Sequence, residues 1–382
     1  MKIGLLGFGV VGRGVYDLTA AHKDIKIAKV VCLEDVTLPD AEVTRDFQSV
    51  LQDETIDTVV ECMGGLHPAY EFVRAAMEAG KHIVTSNKAL VAHFYDELIP
   101  LAEQKGLMFR CTAACGGGIG WLSELERARR IQTIETVGGI MNGTCNYILD
   151  SMTRLGLGYD EALSQAQALG YAEANPSTDV DGIDTLHKLV LSANVAFGIS
   201  VAQESVPAAG IRHITAEDVA QFTAHGLTCK LVSTGIYRDG KLEAFVQPRL
   251  FEAGEPEAAV SANYNLITLV GSASGRMSFY GQGAGRYPTA YNVMQDCADV
   301  LQGKGYYSPY GGKVAATNAM QMCYYVRGEQ DAWLKDNTQE NWGNAVITKP
   351  VAVSAMHAWL AEHPGSFIAA MPASAAVTIP KT

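Results

Sequence analysis

Residues 2–12 read KIGLLGFGVVG, and an apolar run closing on three spaced glycines decides how the chain begins to fold. Lys2 to Leu6 has the length and character of a buried strand, after which Val11, Val15 and Leu18 fall on one side of a helix. Strand, glycine turn and helix in that order make the G-x-G-x-x-G of Gly7, Gly9 and Gly12 more than a string match. The first glycine permits the tight turn, the second lets a pyrophosphate approach the backbone, and the third lets helix pack on strand. Gly7, Phe8, Gly9, Val10, Val11 and Gly12 are therefore the candidate phosphate-binding turn, with unpaired N–H groups and the helix dipole facing the anion.

Outward from that turn, a second strand over Ile27 to Leu33 ends at Glu34-Asp35, where a dinucleotide fold puts the acid that bonds the adenosine ribose diol. No Arg or Lys follows at once to receive a 2′-phosphate, so NAD(H) is favoured over NADP(H). Thr58 to Cys62 reads as the next buried parallel strand, and Met63, Gly64 and Gly65 after it leave room for a cofactor above the strand end. A helix from Pro68 to Glu78 turns into a strand through Val84 that ends at Thr85-Ser86-Asn87-Lys88. Ligands of open α/β sheets bind beyond the carboxyl ends of the strands, which places Ser86, Asn87 and Lys88 in the crevice shared by Gly9 and Gly64. The fold class expected is α/β: a Rossmann-type doubly wound parallel sheet with an inserted α+β domain for substrate binding and dimerisation. Another nucleotide on the same fold is the competing ligand.

Length and composition agree. The 382 residues exceed what one core usually supports, so two domains are expected. With 48% hydrophobic and 18% charged residues the chain is globular, and no window approaches the roughly 20 uninterrupted apolar residues of a membrane span. The N-terminus begins directly with the strand, so a soluble cytoplasmic protein is expected. Cysteines at 32, 62, 111, 115, 145, 229, 297 and 323 form no C-x-x-C and suit reduced buried thiols. A formal net charge of −12 without a Lys/Arg cluster argues against nucleic acid or an anionic membrane as partner. Any anionic ligand must be held by local donors.

The second decisive stretch is Gly170 to Gly198, GYAEANPSTDVDGIDTLHKLVLSANVAFG, which holds Glu173, Asp179, Asp181, Asp184 and Lys188. From about Asp181 the pattern is helical. Ile183, Leu186, Val190, Ala193 and Phe197 share one side, while Leu191 and Val195 continue the row of Asp184 and Lys188 on the other. A helix apolar on two sides is buried, and there a carboxylate and an ammonium persist only if paired or facing a polar cavity. The plain alternative is a solvated i,i+4 pair worth about 0.3 to 0.5 kcal/mol.

The segments GFGVVGRGV, ECMGGLHPAYEFVRAAMEAGKHIVTSNKALVA, GGIMNGTCNYIL, GYAEANPSTDVDGIDTLHKL and GQGAGRYPTA resemble those of homoserine dehydrogenases, in order and at similar separations over roughly residues 1–325. The resemblance implies NAD(P)-dependent, reversible reduction of L-aspartate 4-semialdehyde to L-homoserine, on the way to threonine and methionine. It implies Lys188 as the group that stabilises and protonates the reacting oxygen, Asp184 as its orienting acid, and Lys88 as a second ammonium facing the substrate. It further implies Glu173 on the substrate ammonium, Asp179, Gly143, Thr144 and Tyr171 around the substrate, and Gly285 on the nicotinamide side. Backbone carbonyls of Cys115, Gly117 and Ile119 would hold a sodium or potassium ion. Thr112 and Gly120 depart from the family's acid and proline at that loop, and Asn175 stands where aspartate is common. A homodimer or higher homo-oligomer is implied.

On this reading residues 1–135, completed by about 286–325, bind the dinucleotide, and 136–285 form the substrate domain. Residues 326–382 form a tail in which the alternating strands of a ligand-sensing module are not apparent. A hairpin is expected around Asp239-Gly240, and within the tail a strand at Asn344 to Thr348 and a helix from Ser354 to Glu362. Cys145 invites a thiol-nucleophile reading, against which stands the absence of an adjacent His. The competing functions are a related sugar or inositol dehydrogenase, disfavoured by Ser86-Asn87-Lys88-Ala89, and a non-enzymatic nucleotide-binding sensor, which would have lost Lys188 or Glu173.

Overall fold

The computed structural model describes residues 1–304 and 311–372. Its first sheet is parallel throughout, in the spatial order Glu42–Thr44, Lys26–Val31, Lys2–Leu6, Thr58–Glu61, His82–Thr85 and Phe109–Arg110. The strands are short and mostly buried, so they read as apolar runs without alternation. The order reverses between Lys2–Leu6 and Thr58–Glu61, which opens a crevice beyond their carboxyl ends. Helix Arg286–Leu301 returns from the far end of the chain to pack on helix Val10–Thr19. Gly14 makes that approach possible, since a Cβ there would lie 2.9 Å from both Ala290 Cβ and the Arg286 carbonyl oxygen. The last strand of this sheet, Phe109–Arg110, is only two residues long and is followed by a 3₁₀ turn at Thr112–Ala114.

The second sheet begins Gly275–Gln282, Tyr264–Gly271, Ile134–Ile140, Leu227–Arg238, Lys241–Glu252. Leu227–Arg238 and Lys241–Glu252 form the expected hairpin, and both turn residues, Asp239 and Gly240, have positive φ, as the Asp-Gly signal requires. Helix Ile183–Phe197 lies against this sheet and also against helices Lys88–Lys105 and Trp121–Arg129 of the first unit. It is buried along nearly its whole length and joins the two halves.

The sheet then continues through Phe367–Ala370, Tyr324–Arg327, Ala345–Thr348 and Thr338–Trp342. With helices Ala332–Asn337 and Val353–Glu362, these four strands trace strand, helix, strand, strand, helix, strand, with the fourth and first strands central-side neighbours and the second at the edge, while the short Val351–Ala352 pairs outside this sheet with Gln321–Met322. The expected strand and helix of the tail are Ala345–Thr348 and Val353–Glu362. The strands that were not apparent in the sequence of this tail are present, and they escaped the pattern for a physical reason. Tyr325, Ala345, Ile347, Phe367 and Ala369 face the main core, while Tyr324, Val326, Val346, Ile368 and Ala370 face a second core with Leu334, Met356 and Trp359. Strands buried on both faces do not alternate. Residues 305–310 and 373–382, within the regions assigned to 286–325 and 326–382, lie outside the described residues.

A buried polar joint fastens this unit. Asp218, with no exposed surface, accepts from Tyr325 Oη at 2.7 Å and Arg327 Nε at 2.8 Å while completing the capping box of helix Ala216–Ala224. Gln247 Oε1 meets Tyr324 Oη at 3.2 Å and His357 Nε2 at 3.0 Å. Asp218→Ala strands the Arg327 charge and the Tyr325 hydroxyl, so it should lower the unfolding free energy by about 3 to 5 kcal/mol in urea titrations. A loss below about 1 kcal/mol would show that solvent takes over these bonds.

Candidate active site

Gly182, in the left-handed region at φ 84°, separates the single turn Ser177–Val180 from helix Ile183–Phe197 and so turns Asp184 inward at the head of a buried helix. Asp184 is 5% exposed. One of its oxygens accepts from Lys88 Nζ at 3.0 Å, the other from Lys188 Nζ at 2.7 Å and Asn142 Nδ2 at 2.8 Å. Lys88 opens helix Lys88–Lys105 at the carboxyl end of a parallel strand, whereas Lys188 sits one turn beyond Asp184. A single carboxylate thus ties the nucleotide unit to the substrate unit across the cleft.

Lys188 Nζ also donates to the Met141 carbonyl at 2.7 Å. An ammonium has three donors, so one remains for a ligand. Asn142, at the end of strand Ile134–Ile140, caps helix Gly143–Leu155 through Cys145 N and donates from Nδ2 to both Asp184 and Asp179, the latter at 2.7 Å. Burial raises the Asp184 carboxyl, but the adjacent Lys188 and Lys88 ammoniums outweigh it and hold it well below the usual carboxylate range. The Asp184 charge in turn raises Lys88. Burial, with the like charge of Asp184, raises Asp179. Burial lifts the Cys145 thiol well above its ordinary value, helped by Asp179 and Asp184, which speaks against a thiolate nucleophile.

The other expected substrate residues gather near this cluster with different exposure. Thr144 Oγ1 donates to the Tyr171 carbonyl at 2.5 Å, which anchors the 170–176 loop. Tyr171 stacks edge-on to Tyr147 and is 38% exposed. Gly143 has no room for a side chain, since a Cβ would lie 2.6 Å from the Asn263 carbonyl oxygen. Glu173 is exposed on the loop, with no side-chain bond or ion pair among the described residues. Asp181, for which the sequence suggested only helix initiation, makes a two-pronged pair with Arg212, each contact 2.7 Å.

On the cofactor side the glycine turn has the geometry its motif requires. Gly7 takes φ 91°, a Cβ on Gly12 would sit 2.1 Å from the Gly7 carbonyl oxygen, and a Cβ on Gly9 would meet nothing within 4 Å. Helix Val10–Thr19 carries no side-chain cap, so its first N–H groups face the crevice, and Val10 is 67% exposed beside them. Gly64 and Gly65 are exposed with positive φ, and Gly285 begins helix Arg286–Leu301 at φ 132°. Asn87, expected to project into the crevice, is instead consumed locally: Nδ2 donates to the Gly65 carbonyl at 2.7 Å and Oδ1 caps Leu90 N at 3.1 Å. Glu34 pairs with Arg13, and Asp35 with Arg45 at 2.8 Å. The fold therefore brings two arginines to the acid pair although none follows it directly in sequence.

Two functional groups escaped the sequence reading. Asn142 carried the N-cap signal of an Asn before a helix, which could have found it. Glu61, fully buried, accepts from Met63 N at 2.7 Å, Gly64 N at 3.3 Å and Thr85 Oγ1 at 2.5 Å, and so shapes the 63–65 turn. Its signal was a carboxylate closing an otherwise apolar strand.

A family model described as "Homoserine dehydrogenase" matches residues 121–298, and one described as "Homoserine dehydrogenase, NAD binding domain" matches residues 7–111. The homoserine dehydrogenase of Synechocystis sp. is 38% identical over 317 residues, covering 79% of this chain and 73% of that protein. That of Bacillus subtilis is 36% identical over the same length and shares. The crystal structure of a homoserine dehydrogenase from Thiobacillus denitrificans matches with TM-score 0.86 at 29% identity, covering 97% of this chain and 98% of that one. The sugar-dehydrogenase and sensor readings are not favoured.

The two acids should respond oppositely to neutralisation. A carboxyl more acidic folded than unfolded stabilises above the unfolded pKa and loses that contribution as pH falls, whereas a carboxyl raised by folding is destabilising while ionised. Asp184→Asn should therefore lower the melting temperature at pH 7 and flatten its fall below about pH 4. Asp179→Asn should raise it at pH 7. Thermal scans from pH 3 to 8 decide, and equal shifts of the same sign would refute the assignment.

Proposed function

The chain belongs to the homoserine dehydrogenase family, and from that premise we propose how its residues divide the work of the reaction. The protein is an NAD(P)-dependent oxidoreductase acting on a CH–OH group, interconverting L-homoserine and L-aspartate 4-semialdehyde in amino-acid biosynthesis. The observation that carries the proposal is the Asp184 carboxylate gripping Lys188 from one wall of the cleft and Lys88 from the other.

When bound, the nicotinamide supplies or accepts the hydride. Lys188 directs its free N–H at the substrate oxygen, stabilises the negative charge that grows there in reduction, delivers the proton, and takes it back in oxidation. Asp184 and the Met141 carbonyl fix the direction of that N–H. Lys88 keeps two donors beyond its bond to Asp184 and meets the substrate carboxylate or the reacting oxygen. Glu173, unpaired on its loop, closes on the substrate ammonium, with Asp179, Thr144, Gly143 and Tyr171 shaping the site around it.

Gly7 to Gly12 would hold the pyrophosphate, Met63 to Gly65, Ser86, the backbone of Asn87 and Gly285 would border the nicotinamide, and Glu34 would bond the ribose diol. NAD(H) is favoured because Arg13 and Arg45 are already engaged by Glu34 and Asp35. The chain divides into 1–135 with 286–325 for the cofactor and 136–285 for the substrate, with 326–382 beyond them. Strand Gly275–Gln282 lies at the end of its sheet, largely exposed, which supports self-association through that edge.

With purified protein and L-homoserine at alkaline pH, reduced cofactor should accumulate, with a larger kcat/KM for NAD than for NADP. The reverse preference would refute the role given to Glu34. Lys188→Ala should lower kcat by about 10²- to 10⁴-fold while leaving the cofactor Kd nearly unchanged, and near-normal turnover would make Lys188 merely structural.

A further inference from the structure

The loop Thr112–Gly120 ends in glycines whose carbonyls, by family resemblance, would surround a monovalent cation. Converging carbonyl oxygens repel one another and need a donor or a cation between them. Here a donor is built in. Asn292, 2% exposed on helix Arg286–Leu301, directs Nδ2 to the carbonyl oxygens of both Gly117 and Ile119, the second at 3.2 Å. Only the amide nitrogen satisfies two acceptors, so its orientation follows from chemistry.

One turn further along the same face, Asp296 grips the root of the loop. Its carboxylate accepts from Thr112 N at 2.7 Å, Thr112 Oγ1 at 2.6 Å and Arg110 Nε at 3.0 Å. Thr112 is where the family has an acid, so the loop brings no charge of its own, and the Asp296 carboxylate is already answered by a buried guanidinium. The loop carbonyls and the charges around them do not fit a cation.

We propose that Asn292 does in this enzyme what a sodium or potassium ion would do at that loop, and that the enzyme works without either ion. The consequence for catalysis is positional. Cys115, in the loop, packs against the catalytic helix with Sγ 3.7 Å from the Lys188 carbonyl oxygen, and Trp121, just after the loop, donates from Nε1 to Ser192 Oγ at 2.8 Å. A loop that loosens displaces the helix that carries Lys188. The inference leans on the family assignment only for the expectation of an ion.

The test compares the whole enzyme at one ionic strength in sodium, potassium or tetramethylammonium chloride. The thermal midpoint should show no rise specific to sodium or potassium, and kcat/KM should agree within about twofold across the three salts. A sodium- or potassium-specific rise in midpoint or rate would overturn the proposal. Asn292→Asp keeps the shape but removes the donor and adds a ligand charge. It should lower the midpoint and cost on the order of tenfold in kcat/KM in tetramethylammonium, with recovery when sodium or potassium is added. An unchanged midpoint, or a loss that neither ion restores, would also overturn it. The midpoint needs no turnover, so its answer stands apart from whether homoserine is the substrate.

Discussion

The Asp184 carboxylate is the contact on which both halves of the cleft depend. It is buried, and alone it would be driven toward protonation, yet two ammoniums from separate units outweigh that cost and keep it charged. The arrangement is reciprocal: with Asp184 neutralised, Lys88 and Lys188 would lose the carboxylate that they share. Adding Asp179 makes the cluster two acids and two bases. Burial, with the like charge of Asp184, raises the Asp179 carboxyl, so the two acids of the cluster are held in opposite directions from their ordinary values.

Buried carboxylates recur as fasteners where the chain must hold an irregular backbone. Glu61 gathers the N–H groups of Met63 and Gly64 beneath the cofactor crevice. Asp296 holds Thr112 and Arg110 at the root of the glycine loop. Asp218 joins a helix cap to the C-terminal sheet. In each case the acid accepts several bonds at once, which one neutral acceptor could not do.

What was readable in the sequence follows from locality. The glycine turn, the Asp-Gly hairpin and the Asp184–Lys188 spacing are short-range signals, and each lies where its spacing put it. Glu34 with Arg13, Asn292 with Gly117, and Lys88 with Asp184 are joined only by the fold. A pair such as Asp218 with Arg327 has no sequence period to announce it. Asn87 lies at the strand end where it was expected, and its side chain also caps its own helix and bonds the Gly65 carbonyl, partners that no local spacing announced together.

Of the C-terminal strands only Ala345–Thr348 was legible, and the others were not for a reason that also bears on how the unit is held. A two-layer unit of four strands and two helices buries one face of its sheet under its helices and leaves the other open. Here the open face is covered from within the chain. Phe222, on helix Ala216–Ala224, makes ring contacts with Tyr325 and Phe367, while Met356 and Trp359 cover the opposite side. Pairing of Arg249 with Ala370 then carries the substrate sheet directly into the C-terminal one. A unit sealed on both faces and joined by strand pairing is continuous with the sheet it extends, not a module tethered by a loop. The junction lies on Lys241–Glu252, the strand whose hairpin partner Leu227–Arg238 belongs to the sheet beneath the helix of Lys188.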